Sequence, residues 1–343
     1  MPMDERKQKV LLAVVKGFIA TAEPVGSRTI ARKYNLGVSP ATIRNEMADL
    51  EEMGYLEQPH TSAGRIPSDS GYRYYVDCLM EKYTLSEAER NYIKTCFEEK
   101  MRDIEEVVNL SSLLLSRLSN YTSLTIGPYG RINRFQQVRL IPLAIDKALL
   151  VAISHKNIVH HHLLDIPPSL TEVDLARIAL VLNSHLHGLA MEEVREKVIE
   201  EIFQELYEYK RILQAILELL EYSRQSVGSG QVFLSGTLNI FNQPEFKDLN
   251  KVKTILGILE NKEVLRELLV DTSDEGLTIR IGGENKLDGI NDCSVVTTTY
   301  TINGGMVGHL GILGPTRMDY SKTVALVEAI AQHLSQVFSK FYK

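Results

Sequence analysis

The stretch that most constrains this chain is Ser39–Gly54, a helix whose two ends are both marked by local chemistry. Ser39 can accept the free amides of the first turn. Pro40 suits the first helical position, where a missing N–H costs nothing, and Gly54 can turn left-handed beyond the last turn. Ile43, Met47, Leu50 and Met53 recur at helical spacing and define an apolar stripe. The first turns present Ala41, Thr42, Arg44 and Asn45. Small residues permit close approach to a DNA major groove, and Arg and Asn can bond base edges bidentately. An ordinary amphipathic surface helix would show the same stripe, so the flanking segments decide.

Upstream, Ser27–Tyr34 reads as a short helix with Ser27 as its cap, followed by the turn Asn35-Leu36-Gly37-Val38. Downstream, Tyr55–Gln58 reads as a short strand ended by Pro59. His60–Gly64 makes a tight turn, and Arg65-Ile66 returns before Pro67. A two-stranded wing carrying Arg65 beside a glycine tip can lay a cation along a phosphate backbone or into a minor groove. Helix, turn, helix and wing agree on a winged helix-turn-helix DNA-binding domain. Thr42, Arg44 and Asn45 are the expected base readers, and Arg28, Ser39 and Arg65 the residues that position the backbone. The net charge of −6 over 343 residues means that binding must rest on where Arg28, Arg32, Lys33, Arg44 and Arg65 stand, not on bulk charge. Glu51 and Glu52, at the far end of the helix, can face away from DNA.

Before this motif, a helix from about Asp4 to Thr21 buries Val10, Val14 and Phe18. After it, Ser68 or Asp69 caps a helix whose Tyr72, Tyr75 and Leu79 share one face. At that spacing the tyrosines read as packing residues, not as base-stacking ones. Ser86 opens a further helical stretch continued by Ile104, Val108, Leu115 and Leu118. The period then changes: Val138–Leu143, Lys147–Ile153 and Asn157–Leu164 read as an antiparallel meander. Strand alternation puts only His160 and His162 of the His160-His161-His162 run on one face. No partner spacing accompanies them, so they read as packed or solvated.

Met191–Ser226 is a Glu-, Leu- and Ile-rich helical tract with Val198, Ile202, Leu206, Leu213 and Ile216 on its stripe. Part of it is apolar on several sides and needs more than one neighbour, either another subunit or its own domain. Ser226–Gly230 reads as a link, and another helix lies between Lys251 and Leu269. Leu277–Ile281, Cys293–Ile302 and Met306–Leu313 read as strands with a hairpin at Asn303-Gly304. A last helix carries Val324, Val327, Ile330, Leu334 and Phe338. Gly305, Gly308, Gly311 and Gly314 lack the Gly-Lys-Ser/Thr of a phosphate loop, so close backbone packing explains them better.

No hydrolase, metalloprotease or kinase motif is present, and the three cysteines are isolated, without zinc or disulfide spacing. The expectation is a non-enzyme with no metal or cofactor. No membrane-length apolar run or signal-peptide pattern is seen, which points to a cytoplasmic protein.

Pro24-Val25-Gly26-Ser27-Arg28, Ser39–Gly54, Ser62–Pro67, Gly71-Tyr72-Arg73 and Gly314–Tyr320 resemble the heat-inducible transcription repressor family of bacteria, the HrcA-type repressors of chaperone operons. The resemblance spans essentially the whole chain and implies an α+β multidomain protein. Residues 1–88 would form the winged helix-turn-helix domain, and 89–190 and 273–343 two segments of a GAF-like α/β domain. Residues 191–272 would form an inserted helical dimerisation domain. It also implies a homodimer on an inverted-repeat operator in double-stranded DNA, repression of heat-shock genes, and a chaperonin that keeps the repressor active. A competing reading is a metabolite-responsive transcription regulator with a small effector in the GAF-like domain, which a thermal-shift panel would reveal. A nucleic-acid-processing enzyme would need catalytic carboxylates that the sequence does not display.

Overall fold

Capping chemistry sets the first helices. The computed structural model describes residues 3–60, 63–99, 104–127, 135–154, 159–189, 196–209, 232–270, 276–302 and 305–341. Helix α1 (Glu5–Thr21) starts where the Asp4 carboxylate accepts the Lys7 amide at 2.8 Å. Helix α2 (Ser27–Lys33) starts from Gly26. Ser27 is not its cap but a buried residue of its first turn, and no side chain caps that end. Helix α3 (Pro40–Glu52) is capped as its sequence demands: Ser39 Oγ accepts the Thr42 amide at 3.1 Å, and Gly54 has φ +80°. Ile43, Met47 and Leu50 are buried, whereas Met53 is 46% exposed because the helix has ended before it.

Strands β1 (Leu56–Glu57) and β2 (Ile66–Pro67) pair antiparallel, Leu56 opposite Pro67 and Glu57 opposite Ile66. Pro67 thus belongs to the ribbon, a position that a short edge strand tolerates. The Arg65 backbone exchanges hydrogen bonds of 2.9 and 3.0 Å with Val25, tying the ribbon to the entry of α2. Gly64 makes that approach possible, since a Cβ there would stand 2.4 Å from the Val25 carbonyl. Helix α4 (Asp69–Tyr74) is capped by Ser68 and runs into a π turn, Tyr75–Leu79. Tyr72 and Tyr75 are buried packing residues, and the Tyr72 ring lies 5.8 Å from that of Tyr320.

Helices α5 (Glu87–Glu99) and α6 (Ile104–Ser119) lead to strand β3 (Thr122–Ile126), which is buried along its whole length. Its spacing does not announce a strand. Ser123 and Thr122 are polar core residues whose hydroxyls are satisfied by tertiary partners, Ser123 by Ser112 Oγ at 3.0 Å and Thr122 by the Gly236 carbonyl at 3.1 Å.

The chain then enters a separate compact unit, Gly127–Gln231. Strands β4 (Phe135–Ala144), β5 (Lys147–Ser154) and β6 (Val159–Asp165) form the expected antiparallel meander in that order. Helix α7 (Glu172–Leu186), with a Thr171/Asp174 capping box, and helix α8 (Glu196–Glu205) accompany it. Val138, Leu140, Leu150, Ile178, Leu182 and Ile202 are among the residues of their shared core. Asn183 pins α7 to β4, accepting the Val138 amide at 2.7 Å and donating to its carbonyl at 2.8 Å. His161 is exposed, and among the described residues no group of three His, Cys, Asp or Glu could hold a metal ion.

The remaining elements rejoin the first unit, Met1–Ile126 with Val232–Lys343. They are β7 (Val232–Ser235), α9 (Leu249–Glu260), α10 (Lys262–Val270), β8 (Thr278–Ile281), β9 (Cys293–Ile302), β10 (Gly305–Pro315) and α11 (Tyr320–Phe341). Five antiparallel strands assemble in the order β7-β3-β10-β9-β8. Helices α6 and α11 pack on this sheet and on each other, and α10 packs on β3, β7 and β10. The β10 glycines serve close packing: a Cβ on Gly308 would lie 2.3 Å from Tyr300 Oη, and one on Gly311 2.7 Å from the Val296 carbonyl.

The meander sits with α7 and α8, while α9 and α10 belong with the five-stranded sheet. Periodicity identifies each element but not the core that its apolar face joins. Leu213, Ile216, Ser226–Gly230 and Asn303-Gly304 lie outside the described residues.

Candidate nucleic-acid interface

The exposed positions of α2 and of the first turns of α3 include Arg28, Thr29, Arg32, Lys33, Ser39, Ala41, Arg44 and Asn45. Of the expected site residues, Arg28, Ser39, Arg44 and Asn45 therefore reach solvent on neighbouring elements. Thr42 is half-buried, and its hydroxyl lies 2.9 Å from Ser39 Oγ, so these two side chains first of all build the start of the helix.

Arg65 is placed differently. Its Nε donates to Glu51 Oε2 at 2.8 Å, and a second guanidinium nitrogen lies 2.7 Å from the same oxygen, with the side chain 18% exposed. Instead of projecting from the ribbon, it clamps the ribbon to the last turn of α3. Glu51, set aside at sequence level as an acid facing away from DNA, is the partner. Arg65→Ala is therefore expected to lower unfolding stability by about 1–2 kcal/mol, since it strands a partly buried carboxylate. Denaturant unfolding checks this, and adding Glu51→Gln should recover part of the loss.

The other cations of the N-terminal segment sort into two sets. Lys7 contacts Glu46 and Asp49, both at 2.9 Å, and Arg6 contacts Glu46 at 3.4 Å. Lys9 pairs with Glu5, Lys16 with Glu81, and Arg73 with Glu284 and Asp77. Hydrogen bonds from Lys7 to Glu46 and Asp49 hold its ammonium well above the usual lysine range, and Glu284 does the same for the Arg73 guanidinium. Among the described residues Arg28, Arg32 and Arg44 make no ion pair, and Lys33 has only the Tyr34 ring, 5.8 Å away. The other cations of residues 3–80 each lie within ion-pair distance of a carboxylate of the chain, which leaves this group on α2 and the start of α3. A chain of net charge −6 thereby keeps exposed, unpaired cations on α2 and on the first turns of α3, where placement can supply what bulk charge does not.

A family model described as the HrcA protein C terminal domain matches residues 105–324. The heat-inducible transcription repressor HrcA of Moorella thermoacetica is 50% identical over 100% of both chains. The protein of that name in Pelotomaculum thermopropionicum is 49% identical over 100% of this chain and 99% of the relative. The chain belongs to the HrcA family of heat-inducible transcription repressors. The HrcA of Brevibacillus brevis is 40% identical over 99% of each chain. A crystal structure described as that of a hypothetical protein at 2.2 Å resolution is 26% identical and covers 99% of this chain and 100% of its own, with a TM-score of 0.66. The mixed α and β architecture is thus shared over the full length. HrcA proteins are transcription repressors, which is not an enzyme class. Among the described residues no helix is long and apolar enough to cross a membrane.

Proposed function

We propose that α1–α3 with the β1–β2 ribbon form a winged helix-turn-helix that reads an inverted-repeat operator in double-stranded DNA, and that the chain represses heat-shock genes in the cytoplasm as a homodimer. The observation that carries this reading is the sorting of charges within residues 3–80: among the described residues there, the cations without a carboxylate partner are those on α2 and the start of α3. Thr42, Arg44 and Asn45 read base edges, while Arg28 and Ser39 meet phosphates. Arg65 acts from behind, by holding the ribbon to α3. The five-stranded sheet with its helices is the GAF-like domain, and residues 127–231 are the unit inserted in it. Selection of duplexes from a randomised pool by the purified chain tests the reading. Enrichment of a two-fold symmetric sequence is expected, and enrichment of none would refute it.

One such module reads too few base pairs to pick out a genomic site, so two must act together. Support for placing the subunit contact in the 127–231 unit comes from its exposed apolar side chains, Ile141 and Leu143 on β4 and Val173 and Leu180 on α7. Apolar exposure of that kind marks association surfaces. Ile141→Asp with Leu180→Asp is expected to give a folded monomer in sedimentation, and an intact dimer would move the contact elsewhere.

Dependence on a chaperonin is the last part of the proposal. The first unit closes only when residues 1–126 meet 232–343 across the inserted unit. Chains of that kind populate intermediates with exposed apolar surface, which a chaperonin captures. Chaperonin with ATP should raise the operator-competent fraction of freshly diluted, denatured chain. An unchanged fraction would point to a repressor that folds without help.

A further inference from the structure

The buried face of α3 contains one residue that does not belong to a hydrophobic stripe. Glu46 is only 8% exposed, in the same helical phase as Ile43 and Leu50. Its Oε2 accepts from Lys7 Nζ at 2.9 Å, and its Oε1 lies 3.4 Å from an Arg6 guanidinium nitrogen. The same Lys7 ammonium reaches Asp49 on the next turn of α3 at 2.9 Å and the α1 cap residue Asp4 at 3.4 Å. The Lys7 and Glu46 side chains are 18% and 11% exposed, so this pair sits within the α1–α3 seam, while Arg6, Asp4 and Asp49 stand more than half exposed at its rim.

An apolar stripe holds a helix against its neighbour without fixing its rotation closely, because burial is non-directional. Base readout does depend on rotation. A turn of about 20° around the axis moves a guanidinium roughly 8 Å from that axis by about 3 Å. That is the whole length of a hydrogen bond. A charge-assisted hydrogen bond is directional and short, so it fixes the angle that packing leaves loose. Replacing such a pair by apolar residues of similar size is often neutral for stability.

We infer that Glu46, through Lys7, is a positioning residue that sets the rotation of α3 and hence the sequence discrimination of Arg44 and Asn45. This rests on the DNA-binding reading and adds to it a determinant of specificity that touches no DNA. Lys7→Met with Glu46→Leu removes the pair while leaving a packed seam. Its melting temperature should stay within a few degrees of wild type. Its preference for the duplex selected by the wild-type chain over random duplex should fall at least tenfold, with affinity for random duplex changed less than twofold. A purely structural role would leave that ratio alone.

Two further full-length variants keep the inference falsifiable should the apolar pair fail to fold. Glu46→Gln keeps the shape and loses the charge, and should show an intermediate ratio. Lys7→Arg keeps a cation facing Glu46, Asp49 and Asp4, and should hold the ratio to within about threefold of wild type. A folded apolar pair, or a folded Glu46→Gln chain, that discriminates as wild type does would overturn the inference. A wild-type chain that selects no sequence would instead refute the DNA-binding reading, so the two failures are distinguishable.

Discussion

Arg44→Ala is expected to weaken binding to the selected duplex by about 1–3 kcal/mol, or roughly five- to 150-fold, and to relax preference at one base position. Arg44 stands exposed on the second turn of α3 and, among the described residues, makes no ion pair. Its removal breaks no ion pair, so the melting temperature should change little and the loss should appear in binding. Arg28→Ala makes the contrast. A phosphate contact contributes to every sequence alike, so that variant should bind selected and random duplexes more weakly by similar factors, with the salt slope reduced by about one. Competition binding at two salt concentrations separates the two behaviours. Equal losses on both duplexes for Arg44→Ala would remove it from the base-reading set.

Gly71→Ala should destabilise the first unit by about 3 kcal/mol, against the sign that helix propensity alone would give. Gly71 lies within α4, where alanine would ordinarily be the better helix former. Here the added Cβ would stand 2.1 Å from the Tyr55 carbonyl oxygen, a backbone atom that cannot swing aside. Relief requires α4 to move off the ribbon, and α4 is held on its other side as well. Arg73 donates to the Ile279 carbonyl at 2.6 Å and pairs with Glu284, while Asp69 accepts the Gly283 amide at 2.8 Å. Tyr72, buried against Tyr320, would be exposed by the same movement. Gly26→Ala is the control, because a Cβ there meets nothing within 4 Å. Denaturant midpoints of the two variants should differ widely. Coincident midpoints would mean that α4 does not sit so close to Tyr55.

Several features were legible in the residues alone because their causes are local. Ser39, Pro40 and Gly54 bound α3 through backbone groups within a turn of themselves. Short apolar runs bounded by turns sufficed for β4–β6, Thr- and Val-rich composition for β9, and the family motifs lie in contiguous runs. Other features depend on partners distant in sequence. Strand β3 is polar, and only the α6 serines and the Gly236 carbonyl make its burial possible. The assignment of α9 and α10 to the sheet unit follows from which core their apolar faces meet, and periodicity is silent on that. Arg65 resembled a free wing cation until Glu51, 14 residues away, was found holding it. Glu46 meets Lys7 only because folding brings the two together across 39 residues. Sequence determines which cations and helix ends the chain owns. Which cations stay available for DNA is decided only when the fold has brought the carboxylates to the others, because charge pairing follows distance in space and not spacing along the chain.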